Sequence, residues 1–406
     1  MHLPLLHTLA SLLGCSGLYA TWKSPPPPEA SSTYQQRADA LLSKYPVLDG
    51  HWDLPIVARF LAGDNLANFT YQDHLWGQVD IPRIKKGRVG GFWSAAYVGC
   101  NSSKEGPNFD GPTDEVRDTL EQIDLTRQLA AYFPRDVGLA TTPAEHRRNL
   151  ADGKVSHWIG IEGAHSLGNS LATLRMYAEL GVTYVTVTHY CHNVFADSCS
   201  PPEPRHGGLS DFGRRLIIEM NRLGVAADLS HTSAATQRQV IELSAAPIFY
   251  SHSGAKSVYN HVRNIEEDVL RSLRNRDAVI GIPFVADFVR GSGNSTIDDV
   301  LEHIEHIASV IGRNKVALGS DYDGSFEFAR GLEDVTTYPK LLARLLERGW
   351  SEEEVAGLAS ENFLRVVEKT QQVGRDLRGK GRGKKLLPDM KAWEGRKDLI
   401  PKSPPS

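Results

Sequence analysis

Four cysteines in 406 residues are too few for a disulfide scaffold, and their spacing is not that of a zinc finger. Beyond the N-terminal segment no stretch is long and apolar enough for a membrane helix. The polar end KSPPS also lacks the hydrophobic tail of a lipid-anchor signal. Neither a Walker sequence nor an early glycine-rich dinucleotide turn is present, which argues against nucleotide-dependent chemistry. There is no internal repeat. Charge of one sign is not in excess either, since the formal net charge is -4 with 23% charged residues, and this excludes the electrostatic footprint of a nucleic-acid-binding protein. The one basic concentration, RGKGRGKK from Arg378 to Lys385, is spaced by glycine near the C-terminal end and reads as a solvated tail.

What remains is the composition of a soluble globular enzyme, with 41% hydrophobic residues. Residues 1–20 carry an apolar stretch, Leu9 to Tyr19, too short to span a bilayer but suited to a signal-peptide core, though no lysine or arginine precedes it. The expectation is secretion, and sequons at Asn68, Asn101 and Asn294 mark candidate glycosylation sites that agree with it. In an oxidising compartment one pair among Cys100, Cys191 and Cys199 would bridge and leave one thiol free.

Residues 21–33 form a Pro/Ser-rich linker, and after residue 373 the chain turns into a basic, flexible tail, so the folded domain is expected at 34–373. Inside it, eight short apolar runs ending in polar residues alternate with amphipathic stretches. The strands are expected at 46–49, 91–98, 157–161, 183–188, 225–229, 247–250, 278–283 and 315–319. Helices are expected at 113–133, 171–180, 211–223, 234–243, 266–274 and 297–311, several stopped by a glycine, with a last one from Ser351 to about residue 369. Eight strands with crossover helices predict an α/β fold, a (β/α)8 barrel. An open doubly wound sheet would need the glycine-rich turn that is missing.

In such a barrel all strand ends open on one face. His51 and Asp53 follow the first strand, where alternation aims them the same way and Trp52 oppositely. Glu162 follows the third strand, His189 the fourth, His231 the fifth, His252 the sixth and Asp321 the eighth. An isolated histidine at a strand end is ordinarily a packing residue, but six ends with ionisable groups point to a metal site. Imidazole and carboxylate without thiolate suit Zn²⁺, and also Mn²⁺ or Co²⁺. One carboxylate is able to bridge two cations that together activate a water and polarise a carbonyl.

These residues lie in segments that resemble the membrane (renal) dipeptidase family of zinc metallopeptidases, and the resemblance points to a fungal member. The matching stretches are DGHWDLP (Asp49 to Pro55), GIEGAHSL (Gly160 to Leu167), VTHYCHN (Val187 to Asn193), DLSHTS (Asp228 to Ser233), SHSGAKSV (Ser251 to Val258), VRN (Val262 to Asn264), GSDYDG (Gly319 to Gly324) and ENFLRV (Glu361 to Val366), in order across residues 34–370. The resemblance implies a dipeptidase of the amidohydrolase barrel type with two zinc ions per subunit. His51 and Asp53 would hold one and His231 and His252 the other, with Glu162 bridging and a metal-bridging hydroxide attacking the peptide carbonyl. It further implies Asp321 as general acid and base, His189 as donor to the oxyanion, and Arg263 as partner of the substrate carboxylate. Cys100 and Cys191 resemble the family's intrachain disulfide pair, and dimerisation and tolerance of D residues are family expectations.

Trp52 and Ala164 depart from the family, which has Asn and Gly there. The first should alter packing rather than metal binding, and the second should narrow the pocket. His165 and Asp323 read as supports beside the site, His192 and Asp197 as rim residues, and His303 and His306 as surface residues of a helix. Competing readings are another amide, lactone or β-lactam hydrolase, a specialised dipeptidase of fungal secondary metabolism acting on glutathione-derived Cys-Gly adducts, and a metal-binding homologue without activity.

Overall fold

The computed structural model describes residues 32–63, 65–73, 75–100 and 114–379. The expected signal segment, residues 21–31 of the linker, Asn101 and the tail beyond Gly379 lie outside the described residues. The strands are β1 (Val47–Trp52), β2 (Val89–Tyr97), β3 (Val137–Leu139), β4 (Val155–Glu162), β5 (Val182–Thr186), β6 (Ala226–Asp228), β7 (Ile248–Tyr250), β8 (Ala278–Ile282) and β9 (Val316–Leu318). They pair in parallel in the order β2-β1-β9-β8-β7-β6-β5-β4-β3, and a β2–β4 ladder from Gly91↔Ser156 to Tyr97↔Glu162 closes the barrel. All eight expected strands are therefore present. The short β3 was not expected; it extends the β4 edge below β5, and three residues are too few to show a period of two.

Helices form where caps and periodicity agree. Asp211–Leu223 starts on Ser210, whose hydroxyl accepts from Gly213 N, and stops at Gly224 in the left-handed region (φ 79°), as the sequence reads. Unexpected helices at Leu54–Ala62, Ile81–Lys86, Pro143–Ala151 and Tyr338–Glu347 each carry proline in the first turn, a position that presets φ and needs no N–H. The last helix runs on to Gly379, past the expected boundary at 373. Among the described residues no helix is long and apolar enough to cross a membrane.

Two apolar regions hold the barrel. The outer layer sits between strands and helices. The inner one gathers Leu48, Trp93, Trp158, Tyr184 and Phe249 inside the barrel, with Phe363 of the last helix beneath them. This plug closes one end, so a substrate reaches the interior from the C-terminal ends of the strands.

His303 corrects the surface expectation. It is buried; its Nδ1 accepts from Ala255 N at 2.9 Å and its Nε2 lies 3.0 Å from Val289 O, so it braces two loops. Asp197 is likewise not a rim residue. It is buried and accepts from the backbone N–H groups of Arg205, His206 and Gly208, fixing the 200–208 loop.

Candidate metal centre and active site

Strand alternation in β4 sends Trp158, Gly160 and Glu162 inward. A Cβ on Gly160 would stand 2.3 Å from the Tyr184 ring, so the glycine is what lets that tyrosine cross the barrel. β1 breaks the alternation. Leu48 belongs to the inner core and Gly50 faces it, yet His51 also points inward, because the β1–β2 register slips between Asp49 and Trp52. Such a bulge re-aims a side chain at a strand end. Trp52 then faces outward, stacked on Phe92 at 3.8 Å with its indole N–H donating to Ser320 Oγ at 2.9 Å. Ala164 is buried in the outer apolar layer.

The expected residues converge. From Glu162 Oε1 the Nε2 atoms of His231, His51, His252 and His189 lie 3.1, 3.5, 3.5 and 3.7 Å away. His51 Nε2 is 3.5 Å from Asp53 Oδ2, and His231 and His252 bring their Nε2 atoms to 3.1 Å. Asp321 spans both sides, Oδ1 3.9 Å from His51 Nε2 and Oδ2 4.0 Å from His252 Nε2. All seven side chains are buried.

This geometry fits a metal better than a hydrogen-bond network. One carboxylate oxygen has lone pairs for about two donors, not four imidazoles. Donors around a tetrahedral zinc, with bonds of about 2.0–2.1 Å, stand roughly 3.3 Å apart, which is the spacing found here. Buried His51 Nε2 has no hydrogen-bond partner among the described residues. Electrostatics agree. Burial holds His231 and His252 well below the usual imidazole range and His189 at about 4, so all three offer neutral rings. Burial also pulls His51 down, but Tyr184 and the Glu162 and Asp53 carboxylates outweigh it and raise that ring well above 6.5. A cation would take over the charge that this proton balances. Glu162 is held well below the carboxylate range despite burial, by His189 and His51, whereas burial lifts Asp321 to about 7.

Outer partners set the imidazole tautomers. Ser251 Oγ donates to Asp228 Oδ2 at 2.6 Å and therefore accepts from His252 Nδ1 at 2.7 Å, leaving the Nε2 lone pair facing the site. Tyr184 Oη, donating to Gly50 O, likewise accepts from His51 Nδ1 at 2.9 Å. His231 Nδ1 has no such partner among the described residues. His231 and Asp321 also hold left-handed backbone, φ 64° and 66°, a conformation costly for non-glycine residues and concentrated at functional sites. Tyr184, Asp228, Ser251 and Tyr190, whose ring lies 4.3 Å from that of His189, were not singled out in the sequence. The Asp and Ser of DLSHTS and SHSG, each set close to a histidine of the cluster, were the available signal.

Arg263 is buried with its guanidinium 5.1 Å from the Phe288 ring centre. Nη2 donates to His252 O, while Nε and Nη1 have no partner among the described residues. Cys100 and Cys191 form a disulfide that ties the end of β2 to the loop carrying His189, and Cys199 is a free thiol. His165 Nε2 contacts Val98 O at 2.8 Å, and Asp323 Oδ1 accepts from Gln78 N at 2.8 Å, both as supports.

A family model described as membrane dipeptidase, peptidase family M19, matches residues 35–381. The chain belongs to this family. A dipeptidase of Aspergillus oryzae, aclJ, is 43% identical over 347 residues, covering 84% of this chain and 81% of the relative. An uncharacterised dipeptidase of Schizosaccharomyces pombe is 41% identical, covering 85% and 86%. Among solved structures, a metallopeptidase of Rhodobacter sphaeroides liganded with a phosphinate mimic of L-Ala-D-Ala has a TM-score of 0.71 and 28% identity over 80% of this chain and 99% of its own. The probable dipeptidase PvdM of Pseudomonas aeruginosa, at 22% identity and a TM-score of 0.76 over 84% and 100%, shares the fold. This membrane dipeptidase family member is a metal-dependent hydrolase of dipeptides.

Proposed function

We propose that the metals are two zinc ions, one held by His51 and Asp53, the other by His231 and His252, with Glu162 between them. The observation that carries this is the convergence of four imidazole nitrogens on one Glu162 oxygen, beside a buried guanidinium with unpaired N–H groups. His189 also faces Glu162, but from the longest distance of the four, 3.7 Å, so its place is beside the substrate rather than as a ligand.

Zinc bound there would acidify the attacking water and polarise the scissile carbonyl. Arg263 grips the terminal carboxylate with its free N–H groups, which limits good substrates to dipeptides because a longer chain has no carboxylate at that point. His189, a neutral ring, donates its N–H to the carbonyl oxygen as negative charge develops. Asp321, lying between the two sides of the site, takes the water's proton and returns it to the departing amine. Buried walls keep bulk water from competing with these contacts.

A screen of L,L and L,D dipeptides, including cysteinylglycine, tests the reading with metal content measured in parallel. Activity should vanish on full metal removal and return with two equivalents of zinc; turnover by metal-free protein would overturn it. The chain's place in an oxidising, secretory compartment is supported by the Cys100–Cys191 bridge and by exposed Asn68 and Asn294. A glycosidase-sensitive mass on the natively expressed protein would bear that out, and an unmodified reduced chain would refute it.

A further inference from the structure

Two large aromatic side chains are left in solvent on the catalytic face: Trp76 is 58% exposed and Phe326 84% exposed, with ring centres 6.4 Å apart at 63°. Exposure of this degree on flexible loops would need no explanation. These loops are anchored. Arg83 donates to Leu75 O at 2.9 Å and to Gly77 O at 2.7 Å, clamping the backbone on both sides of Trp76. Gly77, at φ 96°, packs so closely on Asp323 that a Cβ would stand 2.5 Å from its Oδ1, and the next residue, Gln78, donates to the same carboxylate. Phe326 follows Gly324 by two residues, roughly 7 Å of chain. A Cβ on Gly324 would lie 2.3 Å from Asp53 Oδ2 and 2.7 Å from Asp321 Oδ1. The backbone that carries both aromatics is thus tied to residues of the site and to their supports.

Their position around the barrel says which part of a substrate they meet. Arg263 follows β7, Trp76 lies between β1 and β2, and Phe326 follows β9. In the closed strand order β1 stands three places and β9 two places from β7, and Gly77 and Gln78 pack on Asp323, so the aromatic pair sits on the β1–β9 side of the mouth, away from the β7 loop that carries Arg263. A dipeptide whose carboxylate is on Arg263 points its amino-terminal residue toward the aromatic pair.

Resting on the dipeptidase reading above, we propose that Trp76 and Phe326 form the subsite for the amino-terminal side chain and select dipeptides in which that side chain is large and flat or otherwise apolar. Stacking on a preorganised aromatic pair stabilises such a group and offers nothing to a methyl. The test compares Phe-Gly with Ala-Gly for the zinc-loaded protein and for Trp76→Ala and Phe326→Ala, with Trp76→Phe as the conservative variant. The expected result is a five- to tenfold fall in the Phe-Gly to Ala-Gly ratio of kcat/KM, about what one aromatic contact supplies. The fall should be carried by KM and largely restored in Trp76→Phe. An unchanged ratio with both dipeptides still hydrolysed overturns the subsite and leaves the dipeptidase reading standing. An unchanged ratio with a dimer turned into a monomer in light scattering assigns the pair to a self-interface instead. If the unaltered protein cleaves no dipeptide, the dipeptidase reading falls and takes the subsite with it.

Discussion

Replacing Ser251 by alanine separates the outer support of one proposed metal position from the other. The hydroxyl accepts from His252 Nδ1 at 2.7 Å and donates to Asp228 Oδ2 at 2.6 Å. Without it, His252 keeps its place on the strand end but loses the contact that holds its Nε2 lone pair toward Glu162. Asp228 is less affected, because Thr186 Oγ1, Ser230 and the Ser251 N–H still donate to it. Loss of an outer partner lowers metal affinity about 10- to 100-fold, or roughly 1.4–2.7 kcal/mol. The same range follows from leaving one buried N–H unpaired, about 1–3 kcal/mol. His51 is held independently by Tyr184, so its position is an internal reference. Titration of metal-depleted Ser251→Ala with zinc against a competing chelator should show one binding step weakened by that factor and the other within threefold of the unaltered protein. Two unchanged steps in a folded variant would refute the tautomer argument, and two equally weakened steps would refute the separate support of the two positions.

Asp321→Asn should lower kcat by about 10²- to 10⁴-fold with metal content preserved; steady-state kinetics beside metal analysis checks this, and a loss confined to KM would remove the proton-transfer role. Arg263→Ala should raise KM for dipeptides far more than for the corresponding dipeptide amides, whereas equal effects on both would sink the carboxylate contact. Burial holds His157 at about 3 and His146 at about 4. As pH falls below about 6.5 the unfolded chain therefore binds protons that the folded chain refuses, and stability drops by about 1.4 kcal/mol per pH unit per group until the folded value is reached. Urea titrations at pH 7 and pH 5 should show a smaller acid loss for His157→Gln, and identical losses would contradict the assignment. Gly281→Ala should cost about 1–3 kcal/mol or more and weaken zinc binding, while Gly379→Ala, with open space around it, should be neutral in the same melts.

The barrel was legible because each strand is a short apolar run, and the mouth because six of the eight expected runs end in a residue that ionises. Glu162, His231 and His252 follow directly from that rule. His51 does not, since its inward aim depends on a register slip that no periodicity reveals. Trp52 was readable by alternation relative to its neighbours but not by what it touches; its partners, Phe92 of β2 and Ser320 just past β9, come from elsewhere in the chain. His303 misled for a related reason. At i and i+3 with His306 on a helix it reads as solvated, yet the 254–265 loop folds over it and uses its ring as a brace. Tyr184 shows the same limit, reaching from β5 to His51 on β1 through space that only Gly160 leaves open.

Glycine explains how the site becomes compact enough to hold metal. Strand glycines read as weak points, having no side chain to pack. Here Gly50 of β1, Gly281 of β8 and Gly319 beyond β9 surround the carbonyl of Ser251, where a Cβ would stand 2.5, 2.1 and 1.8 Å from the oxygen. The obstacle is backbone, so it is unable to swing aside as a side chain would. Three chain segments therefore approach Ser251 only because all three positions lack a Cβ, and each glycine is tied to a residue that builds the site: Gly50 precedes His51, Gly319 stands two before Asp321, and Gly281 accepts through its carbonyl from Ser253 N, just past His252. The approach brings the His51 and His252 rings to 4.1 Å, although their strands are not neighbours in the sheet. A barrel with alanine at these positions would keep every histidine of the cluster in the sequence and hold them too far apart to share Glu162.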